Sequence, residues 1–187
     1  PTQEGLYKHY MAIANGVEIP QILYNVPGRT ITDMSNDVAL KLAEHPNIIG
    51  IKDATGDMVR GKALIENAPQ GFKIYSGDDL TATELMLMGA KGNISVTANV
   101  VPAQMSALCE LAINGQHQQA RALQAQLTPL HNALFTEANP IPVKWALSSM
   151  GLMPDGIRLP LTPLTEANAD QLSHAMNALN INLLAEA

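Results

Sequence analysis

A lysine near the end of an apolar, β-branched run is the first residue in this chain that could do covalent chemistry. In Asn47-Ile48-Ile49-Gly50-Ile51-Lys52-Asp53-Ala54-Thr55-Gly56 the run lies between Pro46 and Gly56, the pattern of a strand buried on both faces of a parallel sheet. A lysine there costs folding energy unless its amine reaches water or a partner. Partial desolvation lowers an amine's pKa, and a neutral amine attacks a carbonyl carbon to form a Schiff base. The alternative is an ordinary lysine whose stem covers the strand end while its ammonium stays in water. Three more strand ends carry polar groups. Tyr24 stands near the end of one, with Arg29 and Thr30 beyond the turn at Pro27-Gly28. A phenol relays protons, and a guanidinium grips a carboxylate through two parallel hydrogen bonds. A packed tyrosine and a solvated loop arginine would read the same way in sequence.

Gly77-Asp78-Asp79 ends another run. Adjacent carboxylates suggest a metal, but no histidine stands at ligand spacing, so helix capping is the expectation and the metal assignment is none. Two acids also argue against an anionic phosphate at this end. The last run carries Ile94, Ser95, Thr97 and Asn99, whose polar side chains could serve a substrate or only the loop. The histidines, His9, His45, His117, His131 and His174, are scattered over helices and turns, and none is taken as a catalyst.

These groups need a scaffold, and the chain alternates strand, turn and helix four times. Thr2 caps a first helix to about Asn15, stopped by Gly16. The strand Gln21 to Val26, a second run of the buried kind, leads to the turn Pro27-Thr30, and Ser35 opens a helix that His45-Pro46 closes. The lysine strand is followed, after Gly56, by a helix through Met58, Leu64 and Ile65 that ends at Ala68-Pro69. Phe72 to Ser76 is the next strand, with Asp79 expected to cap a helix Leu80 to Met88 ended by Gly89. Asn93 to Ala98 is the fourth, and Pro102 starts the helix after it. From His117 onward the spacing is helical only: Pro129 is expected to kink or break one helix, Pro142 sits in the first turn of a second, and Thr165 caps a third. The expected organisation is residues 1–115 as four β/α units and 116–187 as an α-helical domain. Trp145 reads as a core anchor, the nine methionines as core filler, and Cys109 as a buried, inert thiol.

With 47% hydrophobic residues in 187, the chain can bury a sizeable core. A net charge of -6 and a pI near 5.2, without a basic cluster, argue against nucleic acid or an anionic membrane as partner. One cysteine, no signal peptide and no long apolar run point to a cytoplasmic location.

In order, YNVPGRT, GIKDATG, YSGDD and GNISVTANV, followed by NPIPVKWAL and RLPLTPLT, resemble the dihydrodipicolinate synthase family over the whole chain. That family is a group of pyruvate-dependent class I aldolases on a (β/α)8 TIM barrel with a C-terminal helical appendage. The resemblance implies an α/β fold, here the second half of that barrel plus the appendage. It implies that Lys52 forms the Schiff base with pyruvate and that the resulting enamine attacks L-aspartate 4-semialdehyde, giving 4-hydroxy-tetrahydrodipicolinate for lysine and diaminopimelate biosynthesis. Tyr24 then matches the proton-relay tyrosine and Arg29 the arginine that binds the aldehyde's carboxylate. Gly77 and Ile94 match positions lining the pyruvate pocket. No cofactor is needed beyond the covalent imine, and a homo-oligomer, commonly a tetramer, is implied.

N-acetylneuraminate lyase and the 2-keto-3-deoxy sugar aldolases share the lysine and tyrosine; the Arg29-Thr30 pair after Val26-Pro27 is what separates the synthase. Asp53 stands where the family usually carries Glu. The resemblance begins after the family's fourth strand, so the paired threonines and second tyrosine of the relay, and the region of the lysine-inhibition site, are not in this sequence. A full barrel needs eight units and about 250 residues, and half of one exposes two sheet edges. The chain is therefore expected to lack the first four units and not to be an active or regulated enzyme by itself. Two expectations then compete: an enzyme, the catalytic half of a synthase whose remainder is missing from this sequence, and a non-catalytic structural piece, a truncated barrel that persists as a scaffold or by association with another chain.

Overall fold

The computed structural model describes residues 1–181 and 183. Its contacts divide the chain into two compact units, Pro1–Ile94 with Ala112–Gln116, and Ser95–Leu111 with the described part of His117–Ala187.

The first unit begins with α1 (Gln3–Gly16), whose N-cap Thr2 accepts a hydrogen bond from the Gly5 amide at 3.1 Å. Strand β1 (Gln21–Asn25) leads into a single helical turn, α2 (Pro27–Thr30), where the sequence predicts a plain turn. Helix α3 (Asn36–Leu42) is capped by Ser35, and β2 (Ile48–Asp53) follows. Helix α4 (Met58–Asn67) is capped by Asp57, which accepts from the Val59 and Arg60 amides. Strand β3 (Lys73–Ser76) and helix α5 (Ala82–Leu87) complete the regular elements. The strands form a three-stranded parallel sheet in the order β1-β2-β3. Right-handed crossovers between strands in sequence order set their helices on one face, and α1, α3, α4 and α5 pack in succession.

Register then decides the sheet's chemistry. Leu23, Ile51 and Ile74 are paired across the strands and are all buried. One step on, Tyr24, Lys52 and Tyr75 form a row on the opposite face. The next row, Asn25, Asp53 and Ser76, returns to the buried face and is at most 4% exposed. Ile22 and Tyr24 are 44% and 47% exposed, so β1 alternates covered and open; the both-faces-buried reading fails there because the helices cover one side. Gly50 is fixed by close approach, since a Cβ there would lie 2.5 Å from the Lys73 carbonyl oxygen.

Two expectations need correction after β3. The strand predicted over Asn93–Ala98 contracts to one parallel bridge between Ser76 and Asn93. The Lys91 amide donates to the Ile74 carbonyl and Ile94 to Ser76, after which Ser95 Oγ accepts from the Ala98 amide and the backbone turns into a 3-10 helix, Thr97–Asn99. Local side-chain bonding outcompetes a ladder there. The N-cap residue of the following helix is Thr81, where the sequence predicts Asp79. Asp78 Oδ2 accepts from the Thr81 amide and hydroxyl at 3.1 and 2.7 Å, while buried Asp79 accepts from Asn93 Nδ2 at 2.8 Å.

Helix α6 (Pro102–Ile113) has residues in both units. In the second unit α7 (His117–Ala133) runs through Pro129 without breaking, and α8 (Ile141–Ser149) carries Pro142 in its first turn. Helix α9 (Glu166–Ala178) packs on α7 and α8. The core here is Leu127, Leu130, Leu134, Ala146, Leu172 and Met176, with His131 fully buried and its Nδ1 2.7 Å from Thr97 Oγ1. Trp145 is half-buried, not a central anchor, and Cys109 is partly exposed, not buried. No helix among the described residues is long and apolar enough to cross a membrane.

Thr165 is the N-cap residue of α9 but makes no side-chain cap bond; its hydroxyl and amide donate to Glu137 Oε1 at 2.7 and 3.0 Å, joined by Asn168 Nδ2 at 2.8 Å. These donors hold the Glu137 carboxyl below its ordinary value. A lowered folded-state value means the bonds stabilise fully above the ordinary value of 4.5 and fade as pH falls through the folded one. Glu137→Gln should therefore melt below wild type at pH 7, and the gap should narrow as the pH is lowered below 4.5, as followed by circular dichroism. A gap that does not change with pH rules out the carboxylate clasp.

Candidate active site

Each strand of the sheet ends on a small polar residue that turns the chain over. Asn25 bonds forward to Asp33 and Met34. Asp53 Oδ1 and Oδ2 accept from the Thr55 amide and hydroxyl at 3.2 and 3.1 Å. Ser76 Oγ donates to the Asp78 carbonyl and accepts from its amide. These residues lie behind the row that carries the candidate chemistry and hold its loops. Burial pushes the Asp53 carboxyl up, against the two Thr55 bonds and the Arg60 charge that pull it down.

On the open face, Lys52 Nζ lies 4.3 Å from the centroid of the Tyr24 ring. An amine over an aromatic face is held electrostatically by the ring quadrupole while charged, so the ring positions the nitrogen before any reaction. Lys52 is half-buried and forms no ion pair among the described residues, whose salt bridges are Glu4–Lys8, Asp33–Arg60 and Lys62–Glu66. Its stem needs the absence of a side chain at Gly77. A Cβ there would lie 2.6 Å from Lys52 Cε and 2.7 Å from Ala54 Cβ. Lys52, Tyr24 and Gly77 are thus brought together.

Arg29 is carried on α2, exposed, five residues past Tyr24. Ile94 is 43% exposed and is tied to β3 through its amide, which donates to Ser76 O at 2.9 Å. A cavity of about 460 Å³ opens beside Tyr24, lined also by Leu6, Tyr10, Asn25, Thr30 and Met34; Lys52 does not line it. No group of three or more histidine, cysteine, aspartate or glutamate residues able to hold a metal occurs among the described residues.

Sequence reasoning missed Tyr75, the register partner of Lys52 on β3, and the Asn25–Asp33–Arg60 cluster under the Arg29 loop. Residue alternation in QILYN, IIGIKD and KIYS shows which residues share a face within a strand. Which residues of different strands become neighbours depends on register, and a sequence pattern does not carry that.

Three comparisons bear on this geometry. The sequence model described as the Dihydrodipicolinate synthetase family matches residues 1–179. A 4-hydroxy-tetrahydrodipicolinate synthase of Stutzerimonas stutzeri (strain A1501) is 59% identical over 181 residues, 97% of this chain and 62% of that protein. Among solved structures, the chloride-inhibited dihydrodipicolinate synthase from Acinetobacter baumannii complexed with pyruvate overlays with a TM-score of 0.95 at 61% identity, covering 97% of this chain and 62% of that one. Dihydrodipicolinate synthase from Aquifex aeolicus overlays at 0.96 with 38% identity, covering 99% and 64%. The chain thus spans about 62% of the length of the curated relative it matches. Its α/β architecture corresponds to part of those TIM barrels plus a helical portion.

The close approach at Gly77 gives a direct test. Gly77→Ala should cost about 1–3 kcal/mol through overpacking while leaving the far-ultraviolet spectrum unchanged. Lys52 should be displaced, and the rate at which a small 2-oxo acid can be trapped on it by borohydride should fall about tenfold or more. Unchanged trapping would show that Gly77 does not shape the amine's path.

Proposed function

The chain belongs to the dihydrodipicolinate synthetase family, and from that membership we propose that it carries the Schiff-base chemistry of a 4-hydroxy-tetrahydrodipicolinate synthase, a lyase of the class I aldolase type. The observation that carries this reading is the placement of Lys52 Nζ against the Tyr24 ring at the strand ends. The neutral amine attacks C2 of pyruvate to form a carbinolamine. Tyr24 supplies a proton to the departing hydroxyl, water leaves, and an imine to Lys52 remains. Loss of a methyl proton gives the enamine, whose carbon attacks the aldehyde carbon of L-aspartate 4-semialdehyde. The amino group of that substrate then attacks C2, closes the ring and frees Lys52.

One water is lost overall, and the electron sink is the protonated imine itself, so the reaction as written needs no cofactor or metal. Arg29 is assigned to the semialdehyde's carboxylate, which a guanidinium can hold through two bonds. Gly77 and Ile94 are assigned to the pyruvate pocket, with Gly77 leaving room for the lysine stem. The product would serve lysine and diaminopimelate biosynthesis, in the cytoplasm, from a homo-oligomer that we take to be a tetramer.

Incubation with pyruvate and borohydride should leave a carboxyethyl group on Lys52, located by peptide mass mapping. Tyr24→Phe should slow trapping about a hundredfold, in the range of a lost general acid, and Lys52→Met should abolish it. A folded protein that gains no adduct at Lys52 would refute the proposal. With labelling in place, turnover with aspartate semialdehyde but not with N-acetylmannosamine separates the synthase from a sugar-acid lyase.

A further inference from the structure

The segment between β1 and α3 is pinned at its base from three directions. Asn25, 3% exposed, donates through Nδ2 to Asp33 Oδ1 at 2.8 Å and accepts at Oδ1 from the Met34 amide at 3.0 Å. Arg60, reaching over from α4, donates through Nη1 to both Asp33 oxygens at 2.8 Å and through Nη2 to the Met34 carbonyl. From α1, Gln3 Nε2 donates to the Asp33 carbonyl at 2.8 Å, and Gln3 Oε1 accepts from the Ser35 amide at 3.0 Å. Burial of Asp33 is outweighed by the Asn25 and Arg60 bonds and the Arg60 charge, which hold its carboxyl below the ordinary value.

Above this base the loop is in tension. Ile31 adopts a left-handed conformation, φ 55°, yet is 90% exposed. A β-branched residue in that region is disfavoured, and with so little burial its side chain offsets little of the cost. Such strain persists only where the surroundings over-determine the backbone. Within the loop, Thr30 Oγ1 bonds to Val26 O at 3.2 Å and Thr32 O at 3.0 Å, which closes α2 on itself. Arg29 rides on that turn, between the strand end and the pinned base.

We propose that Asn25, Asp33, Arg60 and Gln3 are positioning residues: they clamp the strained loop so that Arg29 is held ready for the carboxylate of the second substrate. This rests on the assignment of Arg29 made above. A preorganised guanidinium avoids the ordering cost that a mobile one meets on binding. The clamp therefore acts on capture of the carboxylate-bearing aldehyde and leaves imine formation at Lys52 untouched.

The test uses protein in which borohydride traps pyruvate at Lys52. Arg60→Met keeps the aliphatic stem and removes all three of its clamp bonds; Gln3→Ala, on an exposed residue, is the variant least able to disturb the core. Arg60→Met should raise KM for aspartate semialdehyde about tenfold and Gln3→Ala about threefold, a preorganisation loss. Pyruvate trapping should stay within about twofold, and amide hydrogen exchange across residues 26–32 should quicken in both. Arg29→Ala separates this inference from the reading beneath it. If its semialdehyde KM does not rise, the Arg29 assignment falls and the clamp has no substrate role. If that KM rises while Arg60→Met and Gln3→Ala leave KM unchanged, only the clamp falls. Loss of pyruvate trapping in Gln3→Ala or Arg60→Met would likewise overturn it, showing an effect on Lys52 instead.

Discussion

Parallel register between three short strands is the constraint on which the rest depends. It sets an apolar row, Leu23, Ile51 and Ile74, under the helices, then Tyr24, Lys52 and Tyr75 on the other face, then the buried polar row Asn25, Asp53 and Ser76. A slip of one residue would exchange the faces, burying the lysine and exposing the polar groups that turn the loops. The apolar row makes such a slip expensive, so the same burial that stabilises the sheet also aims the amine.

The buried polar row explains why reactive groups can sit at strand ends without disordering the loops beyond them. Each of its residues satisfies its side chain within the segment that follows, as buried polar groups must. Asp53 shows the limit of this solution. Two bonds from Thr55 do not fully compensate its burial, and its carboxyl is pushed up. Asp33 shows the opposite balance: its side chain is about half exposed, so its burial penalty is smaller, and Asn25 and Arg60 together outweigh it. Two carboxylates in one unit thus have opposite shifts, according to how deeply each is buried and which donors reach it.

The second unit follows simpler rules. Its helices are specified by apolar residues at helical spacing, and their packing buries Leu127, Leu130, Leu172 and Met176. Pro129 fails to break α7, which a proline can do when packing on the helix outweighs the missing donor. Glu137 draws Thr165 and Asn168 to itself, so the start of α9 is held by a carboxylate from a preceding loop where local sequence suggested self-capping.

Helix boundaries were legible where their signals are local: Thr2 and Ser35 each cap the helix their neighbours begin, while the cap at Asp57 came from the structure. The lysine, tyrosine, arginine and glycine proposed for the site could be named from short runs, since residue type and resemblance travel with the sequence. The stretch Asn93–Ala98 misled because its β-branched residues suit a strand, while Ser95 and the backbone after it find partners nearer at hand. Only the folded arrangement decided that Lys52 lies on the Tyr24 ring, that Gly77 must be bare for the lysine to pass, and that Arg60 reaches Asp33 from another helix. Those contacts join residues 27 or 28 positions apart in the chain for Arg60–Asp33 and Lys52–Tyr24. Distances of that kind are set by strand register and crossover packing, which arise from burial summed over the whole unit and leave no mark on any single stretch of residues.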